Sequence, residues 1–291
     1  MSTIHRILAP VDFSDSSVGA VSYAHCIAAQ LRCDLTLVHV LEPIEAWFSP
    51  VHITPVRLDE MMAERSSTAQ REMDRFLDKR LDGLCVKHLR LTGDPAEQIL
   101  QCVESEKASL ILMPTHGYDP IRRFLLGSVT SKVLHGAHVP VWTAVHFDKY
   151  TSGTCSPPRH IVCGLDLGPQ SARVLEWAAE MAQQFAAKLT VVHATPEMSG
   201  TEADLARQNW QDMLNTRLRK QVASTQHPAL EKAEVMLAHG EPHKALGETV
   251  ERVRADLLVI GRGASADGPF GRLRAHAYAI VRASPCPIVS V

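Results

Sequence analysis

The sequence lacks an excess of either charge, a long apolar run and paired cysteines, and each absence excludes a class of protein. The 291 residues include 30 Lys and Arg against 32 Asp and Glu, for a net charge of −2. Without a positive field, we expect binding neither to nucleic acid nor to an anionic membrane. No run approaches the roughly 20 apolar residues of a membrane span. The first apolar run leads into Asp12 and is predicted to be a strand rather than a signal peptide.

Cysteine and catalytic signatures are equally sparse. The seven cysteines are scattered, with no C-x-x-C pair, which predicts reduced thiols in a cytoplasmic protein. A Gly-x-Ser-x-Gly nucleophile elbow and a P-loop with its lysine are both absent. His135 and His138 lie three residues apart without a third ligand, so we predict no metal site. We expect no catalytic residues, and at most a slow ATPase.

What the chain does contain is an internal repeat. Residues 6–39 match residues 160–193 at a shift of 154, which aligns Asp12 with Asp166 and His39 with His193. Residues 93–113 match residues 240–260 at a shift of 147. A repeat of this length indicates a duplicated domain. We predict a first domain at 1–147, a linker rich in Ser, Thr, Gly and Pro at 148–158, and a second domain at 159–291.

Each copy alternates short apolar runs with amphipathic helical patterns. Residues 110–113 are wholly apolar, which is typical of a central strand buried on both faces. Alternating strands and helices predict right-handed parallel crossovers. The predicted fold class is α/β, with two tandem Rossmann-like domains, each a five-stranded, mainly parallel sheet with helices on both faces. The fifth strands, at 139–145 and 287–291, are expected at sheet edges that need cover.

In an open parallel sheet, ligands bind beyond the C-terminal ends of the strands. In the first copy this edge carries Asp12 and a loop that contains Gly117 and, after nine residues, Gly127. Glycine lets the backbone approach a phosphate, and the unpaired N–H groups of a helix start favour an anion. Ser128 and Thr130 add hydroxyl groups. The sequence therefore predicts a phosphate site between Gly117 and Thr130.

These features resemble the universal stress protein family, which carries the motif G-x2-G-x9-G-[S/T] after the fourth strand and an Asp at the end of the first. The resemblance covers nearly the whole chain, twice. It implies that domain 1 binds ATP, with Mg²⁺ as companion ion, or another adenine nucleotide such as AMP. It further implies a stress-response role through nucleotide- or partner-dependent assembly, pairing of the two domains through their fifth strands, and a homodimer as a further candidate. The implied nucleotide-binding residues are Ala9, Pro10, Val11, Asp12, Val38, Val40, Pro114, Thr115, His116, Gly117, Arg123, Gly127, Ser128, Val129 and Thr130.

The sequence departs from the family motif in both copies. Pro114 replaces the first glycine of the motif and removes one backbone donor. In the second copy, Ala264 and Arg274 stand where the first copy has Gly117 and Gly127, so we interpret this loop as degenerate for triphosphate binding. A candidate second site consists of Asp166, Gly261, Gly263 and Arg274.

Two alternatives stay open at this point. A nucleotide-independent scaffold, or a stress protein that binds another small ligand, is the second hypothesis, because of Pro114 and the degenerate second loop. Asp12 is a candidate both for ribose binding and for capping the helix that follows, and the two roles are compatible. His39 and His193 are expected to be structural histidines that hydrogen-bond to the backbone.

Overall fold

A computed structural model describes residues 4–43, 55–80, 86–117, 126–150, 155–196, 204–262 and 275–291. In the first copy the elements are β1 (Arg6–Pro10), α1 (Asp15–Leu31), β2 (Asp34–Leu41), α2 (Pro55–Arg80), β3 (Val86–Thr92), α3 (Pro95–Ser105), β4 (Leu110–Pro114), α4 (Ser128–Gly136), β5 (Val141–Ala144) and a 3₁₀ helix (Phe147–Tyr150). The second copy contains β6 (His160–Leu165), α5 (Ser171–Gln184), β7 (Lys188–Thr195), α6 (Asp204–Ser224), α7 (Pro228–Glu231), β8 (Glu234–His239), α8 (Pro242–Val253), β9 (Leu257–Ile260), α9 (Ala275–Ala283) and β10 (Ile288–Ser290). The alternation of strands and helices confirms the predicted α/β class.

The chain divides into two compact units that do not coincide with the two sequence repeats. The first unit contains Ile4–Val133 and Phe147–Cys155. The second unit contains Leu134–His146 together with Ser156–Val291. Strand β5 is part of the first repeat in sequence but belongs to the second compact unit.

The sheet of the first unit has the order β3-β2-β1-β4, and its pairs are parallel. Strand β1 lies between its neighbours, with Ile7 opposite Leu35 on one side and Leu110 on the other. Every residue of β4 is buried, as expected for a central strand. Because the strands are parallel, the C-terminal ends of β1, β2 and β4 lie at one edge of the sheet.

The sheet of the second unit has the order β5-β10-β9-β6-β7-β8. Its pairs are parallel except for β5 and β10, which run antiparallel with Val289 opposite Trp142. The two fifth strands thus pair with each other. Trp142 is fully buried, and its ring packs edge-on against Trp177 at 6.5 Å and Phe185 at 6.4 Å. This aromatic cluster anchors β5 in the second unit.

The duplication extends to unusual backbone conformations. A side chain in the left-handed region costs free energy, so such residues mark particular turns. Across the described residues, the non-glycine positions with positive φ form three pairs related by the repeat shifts. The pairs are Phe13 (65°) with Leu167 (54°), Arg32 (53°) with Ala186 (52°), and Lys107 (53°) with Arg254 (53°). The two copies therefore share turn geometry even where their residues differ.

The helices found in the ranges above include none that is both long and apolar enough to cross a membrane. The two longest helices, α2 and α6, carry many charged side chains. Their polar composition is typical of helices that pack on a sheet with one face in water.

Candidate functional site

A cavity of about 580 Å³ lies at the C-terminal edge of the first sheet, which is within the volume range of small-molecule sites. Its walls come from the ends of β1, β2 and β4, from α3 and from the first turn of α4. Twelve of the fifteen predicted site residues line it: Pro10, Val11, Asp12, Val38, Val40, Pro114, His116, Gly117, Gly127, Ser128, Val129 and Thr130.

The other three predicted residues do not line the cavity. Ala9 is fully buried in β1, where it pairs with Leu37 of β2. Thr115 is also buried, and its carbonyl accepts a hydrogen bond from the N–H of Gly127. Arg123 lies outside the described residues.

Asp12 approaches the backbone of Gly117 across the edge of the sheet. The Asp12 Oδ1 atom accepts hydrogen bonds from the Ser14 N–H at 3.0 Å and the Ser14 Oγ at 2.5 Å. The second oxygen, Oδ2, faces Gly117 so closely that a Cβ atom on that residue would overlap it. Glycine is required at 117 by this close approach and not by a left-handed backbone.

The helix-capping interpretation of Asp12 is wrong, because Ser14 is the N-cap of α1. The Ser14 Oγ accepts a hydrogen bond from the Ser17 N–H at 3.2 Å, while Asp12 holds Ser14 in place. Asp166 acts similarly in the second copy, where Oδ1 accepts from the Gly168 N–H at 2.8 Å and the Ser171 Oγ at 3.1 Å. The equivalent carboxylates thus brace the same turn in both copies.

Two of the predicted phosphate contacts are already engaged within the protein. The Gly127 N–H donates to the Thr115 carbonyl at 2.8 Å, and the Thr130 hydroxyl donates to the Pro114 carbonyl at 3.0 Å. These bonds fix the start of α4 against the end of β4. A helix leaves its first N–H groups without intrahelical partners, and in α4, apart from Gly127, these belong to Ser128, Val129 and Thr130. The Ser128 side chain is exposed, and the capacity to bind an anion lies mainly at these backbone N–H groups.

Sequence reasoning missed Arg65, a cationic residue of α2 that lines the cavity. The Arg65 side chain is half-buried, and its Nη1 donates to the Glu42 carbonyl at 3.0 Å. No spacing rule connects this helix position to the end of β2, so only the packing of α2 could reveal it. Ser17, His39, Leu41, Glu42, Pro95, Ile99 and Met113 also line the cavity and were not predicted as site residues.

His39 and His193, which are equivalent in the two copies, are structural histidines that hydrogen-bond to the backbone, as predicted. The Nδ1 atom of His39 lies 2.7 Å from the Val11 carbonyl oxygen, and that of His193 lies 2.7 Å from the Leu165 carbonyl oxygen. The His39 ring also packs on Phe13, with ring centroids 4.6 Å apart. Both rings therefore tie the end of the second strand of each copy to the end of the first.

An ion pair joins the two helices that border the cavity. Lys132 of α4 donates to Asp94, the N-cap of α3, at 2.8 Å. This hydrogen bond, with a smaller contribution from the Glu97 N–H, holds the pKa of Asp94 below its ordinary value. Within the described ranges, no group of three or more His, Cys, Asp or Glu residues is arranged to hold a metal ion.

The equivalent cavity of the second copy is smaller, about 200 Å³. Asp166 and Gly261 line it, whereas Gly263 and Arg274 lie outside the described residues. Arg262, which the sequence did not single out, also lines this cavity and is buried. Its guanidinium donates to the carbonyls of Ala137, Val139 and Ser290, the last at 2.9 Å. This cation is therefore committed to the backbone.

Comparison with known proteins identifies relatives of both copies. The model of the universal stress protein family matches residues 3–144 and 158–291. A universal stress protein of Methanocaldococcus jannaschii, MJ0531, is 29% identical over 136 residues, covering 47% of this chain and 79% of its own. The crystal structure of a universal stress protein from Archaeoglobus fulgidus is 21% identical, covers 99% of this chain and 96% of its own, and superposes with a TM-score of 0.66. A universal stress protein in complex with cAMP is 24% identical over 47% of this chain and 98% of its own, with a TM-score of 0.38.

Proposed function

The chain belongs to the universal stress protein family, and we propose that its first domain, residues 1–147, binds an adenine nucleotide, with ATP as the leading candidate. The observation that carries the proposal is the 580 Å³ cavity, which brings Asp12, the Gly117 backbone and the start of α4 together. A hydroxyl-binding carboxylate, a glycine cradle and a helix N-terminus at one sheet edge are the groups that a nucleotide needs.

The residues present fit the three parts of a nucleotide. The Asp12 Oδ2 atom is available to accept from ribose hydroxyls, because Oδ1 alone holds Ser14. The N–H groups of Ser128 and Val129 would receive phosphate oxygens, with Mg²⁺ neutralising the remaining charge. Val38, Val40 and Ile99 offer an apolar wall to the base.

We propose a different role for the second copy. Asp166 is retained, but the cavity has about 200 Å³ and the Arg262 guanidinium is bound to carbonyls. One nucleotide per chain is therefore expected. The candidate site of Asp166, Gly261, Gly263 and Arg274 would hold at most a smaller ligand.

The biological role that we propose is a response to stress in the cytoplasm through nucleotide- or partner-dependent assembly, including a homodimer. A nucleotide can change assembly only if it binds two conformations or two oligomeric states with different affinity. Sedimentation with and without ATP measures that difference directly. Identical sedimentation in both conditions would contradict this part of the proposal.

Calorimetry with Mg-ATP on matched variants tests the site. Asn can still accept from Ser14, so Asp12→Asn removes the charge while keeping the brace of the turn. Losing a charged hydrogen bond should weaken binding roughly 10- to 100-fold. Asp166→Asn, the equivalent change in the second copy, should leave ATP affinity unchanged. Equal affinity in all three proteins would remove Asp12 from the site.

One observation favours the second candidate function, a scaffold or small-ligand protein that needs no nucleotide. Pro114 has no N–H, and the Gly127 N–H and the Thr130 hydroxyl are bonded within the protein. Protein that is purified without nucleotide, as judged by mass spectrometry, and whose melting temperature does not rise in millimolar ATP would support this alternative.

A further inference from the structure

Two cysteines far apart in sequence meet on one face of α1. Tyr23 and Cys26 are three residues apart in this helix and therefore lie on the same face. The 3₁₀ helix packs on that face, with the Tyr23 ring 5.4 Å from Phe147 and 4.9 Å from Tyr150. The segment Phe147–Cys155 belongs to the same compact unit as α1. Cys155, at the end of the segment, forms a side-chain hydrogen bond with Cys26.

Both cysteines are reduced and partly exposed to solvent. A side-chain hydrogen bond joins them, and it lowers the pKa of Cys26, partly opposed by burial. The same hydrogen bond, followed by burial, raises the pKa of Cys155. The pKa values of the two thiols are thus shifted in opposite directions, and the thiolate form is favoured at Cys26 over Cys155. This asymmetry separates an attacking thiolate from a resolving thiol.

The pKa values of the other four described cysteines are raised, chiefly by burial. Burial raises the pKa of Cys33 and of Cys102 to about 11, with nearby Asp34 and Glu106 adding to the respective effects. Burial also raises the pKa of Cys286 to about 12 and the pKa of fully buried Cys163. Cys85 lies outside the described residues. Among the described cysteines, thiolate character is thus concentrated at Cys26.

We propose that Cys26 and Cys155 form a dithiol site that reacts with a hydroperoxide and is oxidised to a disulfide. The Cys26 thiolate attacks the peroxide, an S–O bond forms and the O–O bond breaks. Cys26 becomes a sulfenic acid, and the leaving hydroxide takes a proton to become water. The Cys155 sulfur then attacks Cys26, the S–S bond forms and the S–O bond breaks, and a second water leaves with the Cys155 proton. Two electrons pass from the two thiols to one hydrogen peroxide.

The disulfide would connect α1 covalently to the end of the first unit. In the reduced protein, Phe147 and Tyr150 pack their rings on Tyr23 of α1 and on each other. Oxidation would add a covalent bond to this non-covalent contact, and a thiol reductant would cleave that bond. The site is separate from the cavity at the C-terminal sheet edge, because neither cysteine lines that cavity.

Peptide mapping after peroxide treatment tests the proposal on the full chain. In a Cys85→Ser background, stoichiometric hydrogen peroxide followed by alkylation should yield one linked peptide pair containing residues 26 and 155. Cys155→Ser should instead accumulate a Cys26 sulfenic acid that dimedone traps, whereas Cys26→Ser should leave Cys155 as a thiol. Cys102→Ser, the matched control, should keep the cross-link.

Alkylation rates provide a second measurement that does not depend on any of these variants. In the untreated wild-type protein, Cys26 should react with iodoacetamide roughly tenfold faster or more than Cys102. A linked pair that involves another cysteine, or a Cys26 that reacts no faster than Cys102, would overturn the proposal.

Discussion

Arg262 illustrates how one residue gives equivalent positions of the two copies different properties. The first copy has Thr115 at this position, whose carbonyl fixes the start of α4 through Gly127. In the second copy the buried Arg262 guanidinium instead binds two carbonyls that precede β5 and the carbonyl of the last residue of β10. Buried charge is tolerated only when such bonds are made.

Removing this guanidinium should destabilise the second unit. Arg262→Ala leaves the carbonyls of Ala137, Val139 and Ser290 without this donor, and we expect a loss of about 3 kcal/mol in free energy of unfolding. Urea denaturation followed by tryptophan fluorescence measures the loss, because Trp142 and Trp177 pack together in this unit. A loss below about 1 kcal/mol would contradict the stabilising role of the guanidinium.

At the residue scale, the sequence predicted twelve of the residues that line the cavity but not how their atoms are used. Asp12 and Gly117 were predicted from their types and from their places after strands, and both line the cavity. The internal bonds of Gly127 and Thr130 were not predictable, because they depend on the distance between the ends of β4 and α4. Arg65 was missed because helix packing, and no local pattern, brings it to the cavity.

At the element scale, strand and helix order followed from the alternation of apolar runs, whereas short elements and strand ends did not. Helix α7 has four residues, too few to produce a periodic pattern. Strand β5 begins at Val141 rather than at 139, since Pro140 cannot donate to the ladder and Arg262 binds the Val139 carbonyl. The grouping of β5 with the second unit depends on contacts that are distant in sequence.

Helix α8 offers a contrast between two glycines. A Cβ atom on Gly247, inside this helix, meets nothing within 4 Å, so Gly247→Ala should stabilise the protein by about 0.5–1 kcal/mol. Gly164 of β6 faces the same helix, and a Cβ there would lie 3.0 Å from the Leu246 Cδ1. Gly164→Ala should therefore destabilise. Thermal denaturation of both variants checks the two signs, and a stabilising Gly164→Ala would contradict the packing.

The ion pair between α3 and α4 predicts a pH dependence. The pKa of Asp94 is lower in the folded protein than its ordinary value of 3.8. The ion pair with Lys132 therefore stabilises the protein at pH values above 3.8, and this contribution is lost as the pH falls through the folded pKa. Asn can also cap a helix, so Asp94→Asn removes only the charge that pairs with Lys132. This change should lower the melting temperature slightly at pH 7 and have no effect at a pH where Asp94 is protonated. Both groups are exposed, so the effect should be small and should weaken in high salt. A difference that grows on acidification would contradict this sign.

At the scale of the whole molecule, the two copies keep one backbone and differ in what their sheet edges can hold. Their left-handed residues coincide in pairs, and both carboxylates brace the same turn. The first cavity has about 580 Å³ against about 200 Å³ in the second. The duplication was evident in the sequence. The difference in cavity volume was not evident in the sequence, because it depends on tertiary packing. Leu246 packs close to Gly164, and the Arg262 guanidinium hydrogen-bonds to the backbone.

Photolabelling with an azido-ATP tests most directly whether the first copy binds an adenine nucleotide. After irradiation of the full chain and digestion, we expect label in peptides that contain residues 9–12, 38–42 or 95–99, and loss of that label when unmodified ATP competes. Label that maps to the second copy, or that excess ATP does not displace, would contradict it.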